Sequence, residues 1–213
     1  MITGIILTRN SEMLIARAIT CLRKFDEVLV YDTGSVDKTV EIANMFGVKV
    51  ITDLFQVGFS TMKNRAIAAA ANPQVFILDS DEVINENVYD EIDWLLGRKP
   101  EKCIAFRRVN MYDLKKYVKE WYPDVQRRAF NRQYYKYERE VHEVINVDQD
   151  KVIQAETLIL HNLHYDSKRL SLNLRTYKQI EGVAVSKVDA DKEVESYKNK
   201  PTEILQHIER WEK

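Results

Sequence analysis

The first hundred residues alternate between short continuous apolar runs and segments whose apolar residues recur at helical spacing. "GIILTRN", "EVLVYDTGS", "VKVITD" and "QVFILD" read as buried strands. Between them, "SEMLIARAITCLRKF" places Leu14, Ala18, Cys21, Leu22 and Phe25 on one helical face, with Asn10 or Ser11 as its cap. "VDKTVEIANMFG" predicts a helix closed by Gly47, a residue that readily takes the left-handed conformation of a C-terminal cap. The alanine-rich "STMKNRAIAAAAN" is stopped by Pro73, and "ENVYDEIDWLLG" closes at Gly97. Repeated βα units of this size imply an α/β fold, a mainly parallel sheet with helices on both faces. Ligands of such sheets bind at the carboxyl ends of the strands.

Past residue 100 the pattern changes. "CIAFRRVNMY", "VQRRAFNR", "REVHEVINV" and "TLILHNLHY" predict a smaller antiparallel or mixed sheet. From Ser167 the chain reads as helical, best in "RLSLNLRTYKQIEGVAV", and Pro201 opens a last amphipathic helix with Ile204, Leu205, Ile208 and Trp211. The expected organisation is one domain over residues 1–165 and a helical C-terminal extension over 166–213.

A length of 213 residues, 45% hydrophobic and 31% charged, suits a globular domain with a sizeable core. The net charge of −1 argues against a general attraction to nucleic acid. The charge is unevenly placed, however. Residues 79–93 carry seven acids and no Lys or Arg, whereas residues 98–139 carry 13 bases against 5 acids. That basic stretch is either a solvated face or a surface for an anionic ligand, an acceptor or a lipid headgroup, and so a candidate peripheral membrane contact. The N-terminal apolar run is too short for a signal or membrane segment, and no other run approaches the ~18 apolar residues of a span. Cys21 and Cys103 make no disulfide framework and predict buried thiols in a reduced, cytoplasmic compartment.

Polar residues collect where the strands end: Thr8-Arg9-Asn10, then Asp32-Thr33-Gly34-Ser35 with Asp37, then Asp79-Ser80-Asp81-Glu82. In a parallel sheet these tips lie side by side. A D-x-D pair occurs three times, and only Asp79-Asp81 follows a buried strand. Carboxylates there suit a divalent cation shared with a pyrophosphate, or else form a solvated acidic loop. In "DTGSVDKT", Gly34 turns the chain and Ser35 is placed to cap the next helix. A plain βα turn accounts for both, but not for Asp32, whose carboxylate can accept from a nucleobase N–H or a ribose hydroxyl. Neither a dinucleotide fingerprint nor a P-loop is present.

"IILTRNSEMLIARAI", "FDEVLVYDTGSVDKTVEIA", "MKNRAIAAA" and "VFILDSDEVI" resemble, in order and spacing, the motifs of family-2 glycosyltransferases of the GT-A fold. The resemblance covers about the first 90 residues and is nearest the small bacterial branch that includes lipopolysaccharide-core glucosyltransferases and peptide S-glycosyltransferases. It implies a nucleotide-sugar half over residues 1–97 and an acceptor half over 98–165. It implies that Thr8, Arg9, Asn10 and Glu12 line the nucleotide pocket and that Asp32 meets the base of a UDP-sugar. Lys63, Asn64 and Arg65 would contact the nucleotide or its sugar, Asp79 the ribose or donor sugar, and Asp81 a bridging Mn²⁺ or Mg²⁺. The alternative for "MKNRA" is a solvated helix surface.

Such enzymes displace a nucleoside diphosphate with inversion, which needs a carboxylate base for the acceptor. Glu143 in "VHEVI" is the first candidate, with His142 beside it and facing the other way in a strand. Its alternative is an ordinary exposed strand residue, and Asp124 and Glu120 compete for the role. His161 or His164 would complete a metal site with Asp81, or serve as a structural hydrogen-bonder. Trp121, Tyr122, Tyr134, Tyr135 and Tyr137 would stack on sugar or fill the core. The sequence does not name the acceptor, which the resemblance would make a carbohydrate, a lipid-linked sugar or a peptide. Two other functions share the architecture. One is a catalytically silent nucleotide-sugar or carbohydrate-binding module. The other is a sugar-phosphate nucleotidyltransferase, disfavoured because "TRNSEM" has no glycine where those enzymes carry a glycine-rich loop.

Overall fold

The computed structural model describes residues 1–56, 58–111 and 116–162, together with Lys192 and a short strand at 202–204. The chain divides into two compact units, Met1–Arg107 with Val125–Ile159, and Arg108–Asp124 with Leu160–Lys213. The boundary expected near residue 165, the helix expected from Ser167, and His164 all lie outside the described residues.

In the first unit the order is β1 (Ile2–Thr8), α1 (Ile15–Cys21), β2 (Glu27–Asp32), α2 (Thr39–Met45), β3 (Lys49–Thr52), α3 (Phe59–Ala68), β4 (Gln74–Asp79), β5 (Glu82–Val83) and α4 (Asn87–Arg98). β6 (Cys103–Met111) runs on into the second unit, which holds β7 (Lys116–Val118). β8 (Asp124–Asn131), β9 (Tyr137–Glu138), β10 (Val144–Ile145) and most of β11 (Val152–Asn162) return to the first. β3, β2, β1 and β4 are parallel neighbours in that order, and β8 lies antiparallel on β4.

Alternation along each strand fills both faces of this sheet. Ile2, Ile6, Val30, Phe76 and Leu78 pack with α1 and α4 through Ile15, Leu22, Val88, Ile92 and Leu96. Ile5, Leu29, Val75 and Ile77 pack with α3 through Met62, Ala66 and Ile67. The strands must therefore be apolar on both sides, which is why they read as continuous runs. Register then sets the tips: Thr8 pairs with Asp32, and Leu7 with Asp79. The expected convergence of three polar strand ends is present. Both cysteines are free; Cys103 is buried, and burial pushes its thiol up to about 12.

Several local expectations are corrected. Helix α1 starts at Ile15, not near Ser11, and neither Asn10 nor Ser11 caps it by side chain. Asn10 takes a left-handed conformation (φ 49°), and its Oδ1 accepts from the Val36 N–H at 2.8 Å. Ser35 does not cap α2, because its hydroxyl is spent on Asp32 and Asp37 takes the Thr39 N–H at 3.0 Å. "REVHEVINV" is not one strand: Arg139 and His142 turn through positive φ, leaving only the short pair β9–β10. After Pro201 a strand, β12 (Thr202–Ile204), pairs antiparallel with β7 in place of the start of a helix, in keeping with β-branched Thr202 and Ile204. The rest of that expected helix lies outside the described residues.

Phe76 is central to the core, with Phe106 edge-on at 5.5 Å and Phe25 tilted at 5.6 Å. Phe76→Ala is expected to lower unfolding free energy by about 3–5 kcal/mol, read from urea denaturation.

Candidate active site

The tip of β4 carries its acids into a buried ion network. Arg128, on β8, is brought over this tip by the antiparallel register that sets Ala129 opposite Phe76. Its residue is 2% exposed, and its Nη2 donates to Asp79 Oδ2 at 2.7 Å and to Glu82 Oε1 at 2.5 Å. Glu82, itself 1% exposed, also accepts the Asp79 N–H at 3.0 Å. Lys63, on α3 and 5% exposed, lies 2.5 Å from Glu143 Oε1 and 4.0 Å from Asp79 Oδ1. Its Nζ sits 5.0 Å above the Tyr137 ring.

Burial opposes the charge on Lys63, but the carboxylates of Asp79 and Glu143 outweigh it and hold its pKa above the ordinary lysine value. Arg128 follows the same balance: burial opposes it, while Asp79 and Glu82 more than compensate. Burial pushes the Tyr137 hydroxyl up to about 12, so it stays neutral and donates to the Arg127 carbonyl at 3.0 Å.

A second network joins the loops beside this tip. Asp32 is fully buried, and its carboxylate accepts the Gly34 N–H at 3.1 Å, the Ser35 N–H at 3.1 Å and the Ser35 hydroxyl. Gly34 makes this wrap possible at φ 101°, a conformation that favours glycine. The loop after β1 is laced to it. The Asn10 N–H donates to Ser35 Oγ at 2.8 Å, the Ser11 N–H to Thr39 Oγ1 at 2.6 Å, and the Lys38 N–H to Glu12 Oε2 at 3.1 Å. The buried Ser11 and Ser80 hydroxyls, 2.9 Å apart, tie these loops to the turn that carries Asp81. Thr8 Oγ1 is buried with no hydrogen-bond partner among the described residues.

The structure thus gathers Thr8, Asn10, Glu12, Asp32, Lys63, Asp79 and Glu143 in one unit, with Asp81 in the half-buried turn after Asp79 and Arg9 exposed after Thr8. Several side chains are engaged differently from expectation. "MKNRA" is a solvated surface only at Arg65, which is exposed and pairs with Asp53 at 3.0 Å; Lys63 is buried, and Asn64 clasps both the N–H and the carbonyl of Tyr137 (2.9 and 2.8 Å). Glu143 is not an exposed strand residue but sits between the bend at 139–142 and β10, held by Lys63. Tyr137 is core. In the second unit, His161 Nδ1 lies 2.7 Å from Asn110 Oδ1, and Asp124 is paired with Arg108 at 2.6 Å. Among the described residues, no group of three or more His, Cys, Asp or Glu is arranged to hold a metal ion.

With that geometry in place, the profile of "Glycosyl transferase family 2" matches residues 3–143, from β1 through Glu143. The chain belongs to this family. An uncharacterized glycosyltransferase of Rickettsia typhi is 38% identical over 108 residues, which are 50% of this chain and 37% of that protein. The chain therefore spans well under half the length of the curated relatives it matches. The S. aureus TarS 1–349 structure, solved in complex with UDP-GlcNAc, covers 92% of this chain and 71% of its own at 13% identity and a TM-score of 0.56. That likeness confirms the GT-A type fold. Glucosyl-3-phosphoglycerate synthase of Mycobacterium tuberculosis, solved with Mn²⁺ and UDP, covers 52% of this chain and 44% of its own, at 21% identity and a TM-score of 0.45.

For this family-2 chain, reading the sequence missed Arg128 and Ser11 as members of the site, and placed Glu82 at the strand tip without a role. Arg128 lay inside a basic stretch that looks solvated; in fact Arg127 and Arg132 from the same stretch also turn inward, to the carbonyls of Ile145 and Ile67. The continuous apolar "VFILD" running into three acids was the available hint that a buried cation must face them. Arg128→Met removes the cation that faces the buried Glu82 and one of the two that face Asp79. The expected loss is about 3–5 kcal/mol of stability, measured by urea denaturation.

Proposed function

We propose that the chain is a metal-dependent, inverting glycosyltransferase that moves a hexose from a UDP-sugar to a carbohydrate, lipid-linked or peptide acceptor. The observation that carries this reading is the alignment of Thr8, Asp32 and Asp79 on adjacent strand tips, with Asp81 in the turn just beyond. The unpartnered Thr8 hydroxyl suits a polar atom of the nucleotide, since a buried hydroxyl left unpaired is costly. The fold is shared with a protein that binds UDP-GlcNAc, an analogy at the level of fold alone.

Asp79 has both carboxylate oxygens facing cations, Oδ2 on Arg128 and Oδ1 on Lys63. It is therefore a fixed acceptor, suited to orienting a ribose or sugar hydroxyl. Asp81 is the acid for Mn²⁺ or Mg²⁺, ions that take one or two carboxylates and complete their shell with substrate phosphates. Such a site needs no preassembled cluster of three protein ligands. When bound, the cation offsets the charge that grows on the leaving diphosphate. The acceptor oxygen forms its bond to the anomeric carbon as the bond from that carbon to the diphosphate oxygen breaks. The acceptor's proton passes to the Glu143 carboxylate, which Lys63 holds in place.

In a thermal-shift series with UDP, Mn²⁺-dependent stabilisation is expected for the native protein and not for Asp81→Ala, because only a bound ligand raises apparent stability. Sugar transfer should vanish in Asp81→Ala as well. Full transfer by that variant, or in excess chelator, overturns the metal-dependent reading.

Glu143→Gln keeps the side-chain shape but removes the base. Turnover is expected to fall about 10²- to 10⁴-fold. Donor affinity should change far less, because Lys63 retains Asp79. An equal loss in donor affinity, read by calorimetry with UDP, would instead assign Glu143 to the donor side.

A further inference from the structure

Residues 138–143, which deliver Glu143, have a backbone that the local sequence does not favour. Arg139 (φ 64°) and His142 (φ 50°) both adopt the left-handed region without being glycine. Such residues persist only where their surroundings impose them. The surroundings here are the first two turns of α3. The Phe59 N–H donates to the Glu140 carbonyl at 2.9 Å, and the Thr61 hydroxyl donates to the Glu140 carboxylate at 3.2 Å. Asn64 clasps Tyr137 before the loop, and Lys63 holds Glu143 at its end.

Gly58 is the closest point of this contact. A Cβ there would stand 2.6 Å from Glu140 Cα and 2.3 Å from its Cβ. These atoms belong to the backbone and its first substituent, so no rotamer change relieves the clash. The backbone of Gly58 itself (φ −66°, ψ 171°) is open to any residue. Glycine is therefore required for closeness rather than for conformational freedom.

From this geometry we infer that Gly58 and Thr61 are positioning residues that act through Glu143: the start of α3 is the mould that fixes the 138–143 loop and thereby the base. The inference rests on the role proposed above for Glu143. It goes further in assigning the placement of that carboxylate to a helix that precedes it by some eighty residues.

The test uses the full chain and four variants: Gly58→Ala, Thr61→Val, Glu143→Gln and the double variant Gly58→Ala/Glu143→Gln. Turnover is read as UDP release from whichever of UDP-glucose, UDP-galactose and UDP-N-acetylglucosamine the native protein uses fastest. Affinity is read by calorimetry with UDP and Mn²⁺, and loop order by amide hydrogen exchange over residues 138–143. Gly58→Ala is expected to lose about 10- to 100-fold in turnover, the scale of an ångström-level misplacement. Thr61→Val should lose about threefold or more, in line with one hydrogen bond. UDP affinity should stay within about twofold for both, and exchange in the loop should rise. In the Glu143→Gln background, Gly58→Ala should cost nothing more, since groups acting as a unit are non-additive.

Additive losses, or unchanged exchange and turnover in the single variants, overturn the inference. If Gly58→Ala does not fold, Thr61→Val and its double with Glu143→Gln decide by the same criteria. If Glu143→Gln keeps full turnover, or no UDP-sugar is used, the assignment of the base falls. The exchange measurement then still decides whether α3 moulds the loop.

Discussion

A guanidinium buried to 2% exposure is the constraint around which the first unit is arranged. Arg128 can occupy the interior only because Asp79 and Glu82 meet it there, and Glu82, buried as deeply, depends on it in turn. Coulomb attraction between unit charges 4 Å apart is about 4 kcal/mol at an effective dielectric near 20, enough to outweigh partial desolvation when several partners converge. Lys63 extends the chain of charges to Glu143, so that three acids are offset by two bases among the five side chains. The antiparallel pairing of β8 with β4 is what makes this possible. It converts a parallel sheet into one in which the tip of β4 is electrostatically closed from the side.

The parts of this arrangement that the sequence made legible are those governed by local pattern. Parallel strands covered on both faces must be apolar throughout, so Asp32 and Asp79 could be assigned to strand tips from where the runs stop. Arg128 could not be found this way. Its partners lie 46 and 49 residues earlier, and it stands beside Arg127 in a stretch rich in bases. The bend before Glu143 was also hidden, because Arg139 and His142 take positive φ without a glycine or asparagine to announce it. Their conformation is imposed by α3, a tertiary effect that overrides strand propensity.

Where two local roles competed for one side chain, the pattern gave the wrong winner. Ser35 is a good helix cap by type, but the nearby buried Asp32 carboxylate needs a hydroxyl donor more than α2 needs an acceptor. Asp37, one residue before the Lys38 cap position, instead accepts the Thr39 N–H at the start of α2. Lys63 and Asn64, at surface-like positions in an alanine-rich helix, were drawn inward by the residues 137–143 that pack there.

The lacing of the first two βα loops has an evolutionary reading. Asn10, Ser11 and Glu12 on one loop are bonded to Ser35, Val36, Asp37, Lys38 and Thr39 on the other, and Ser11 also reaches Ser80. A crossover between related genes that fell between residues 12 and 35 would hand each daughter protein half of a matched set. Such chimeras would keep the apolar pattern and the sheet, yet misalign the three strand tips. Residues 10–39, with Ser80, are therefore a matched set that such an exchange would have to carry whole.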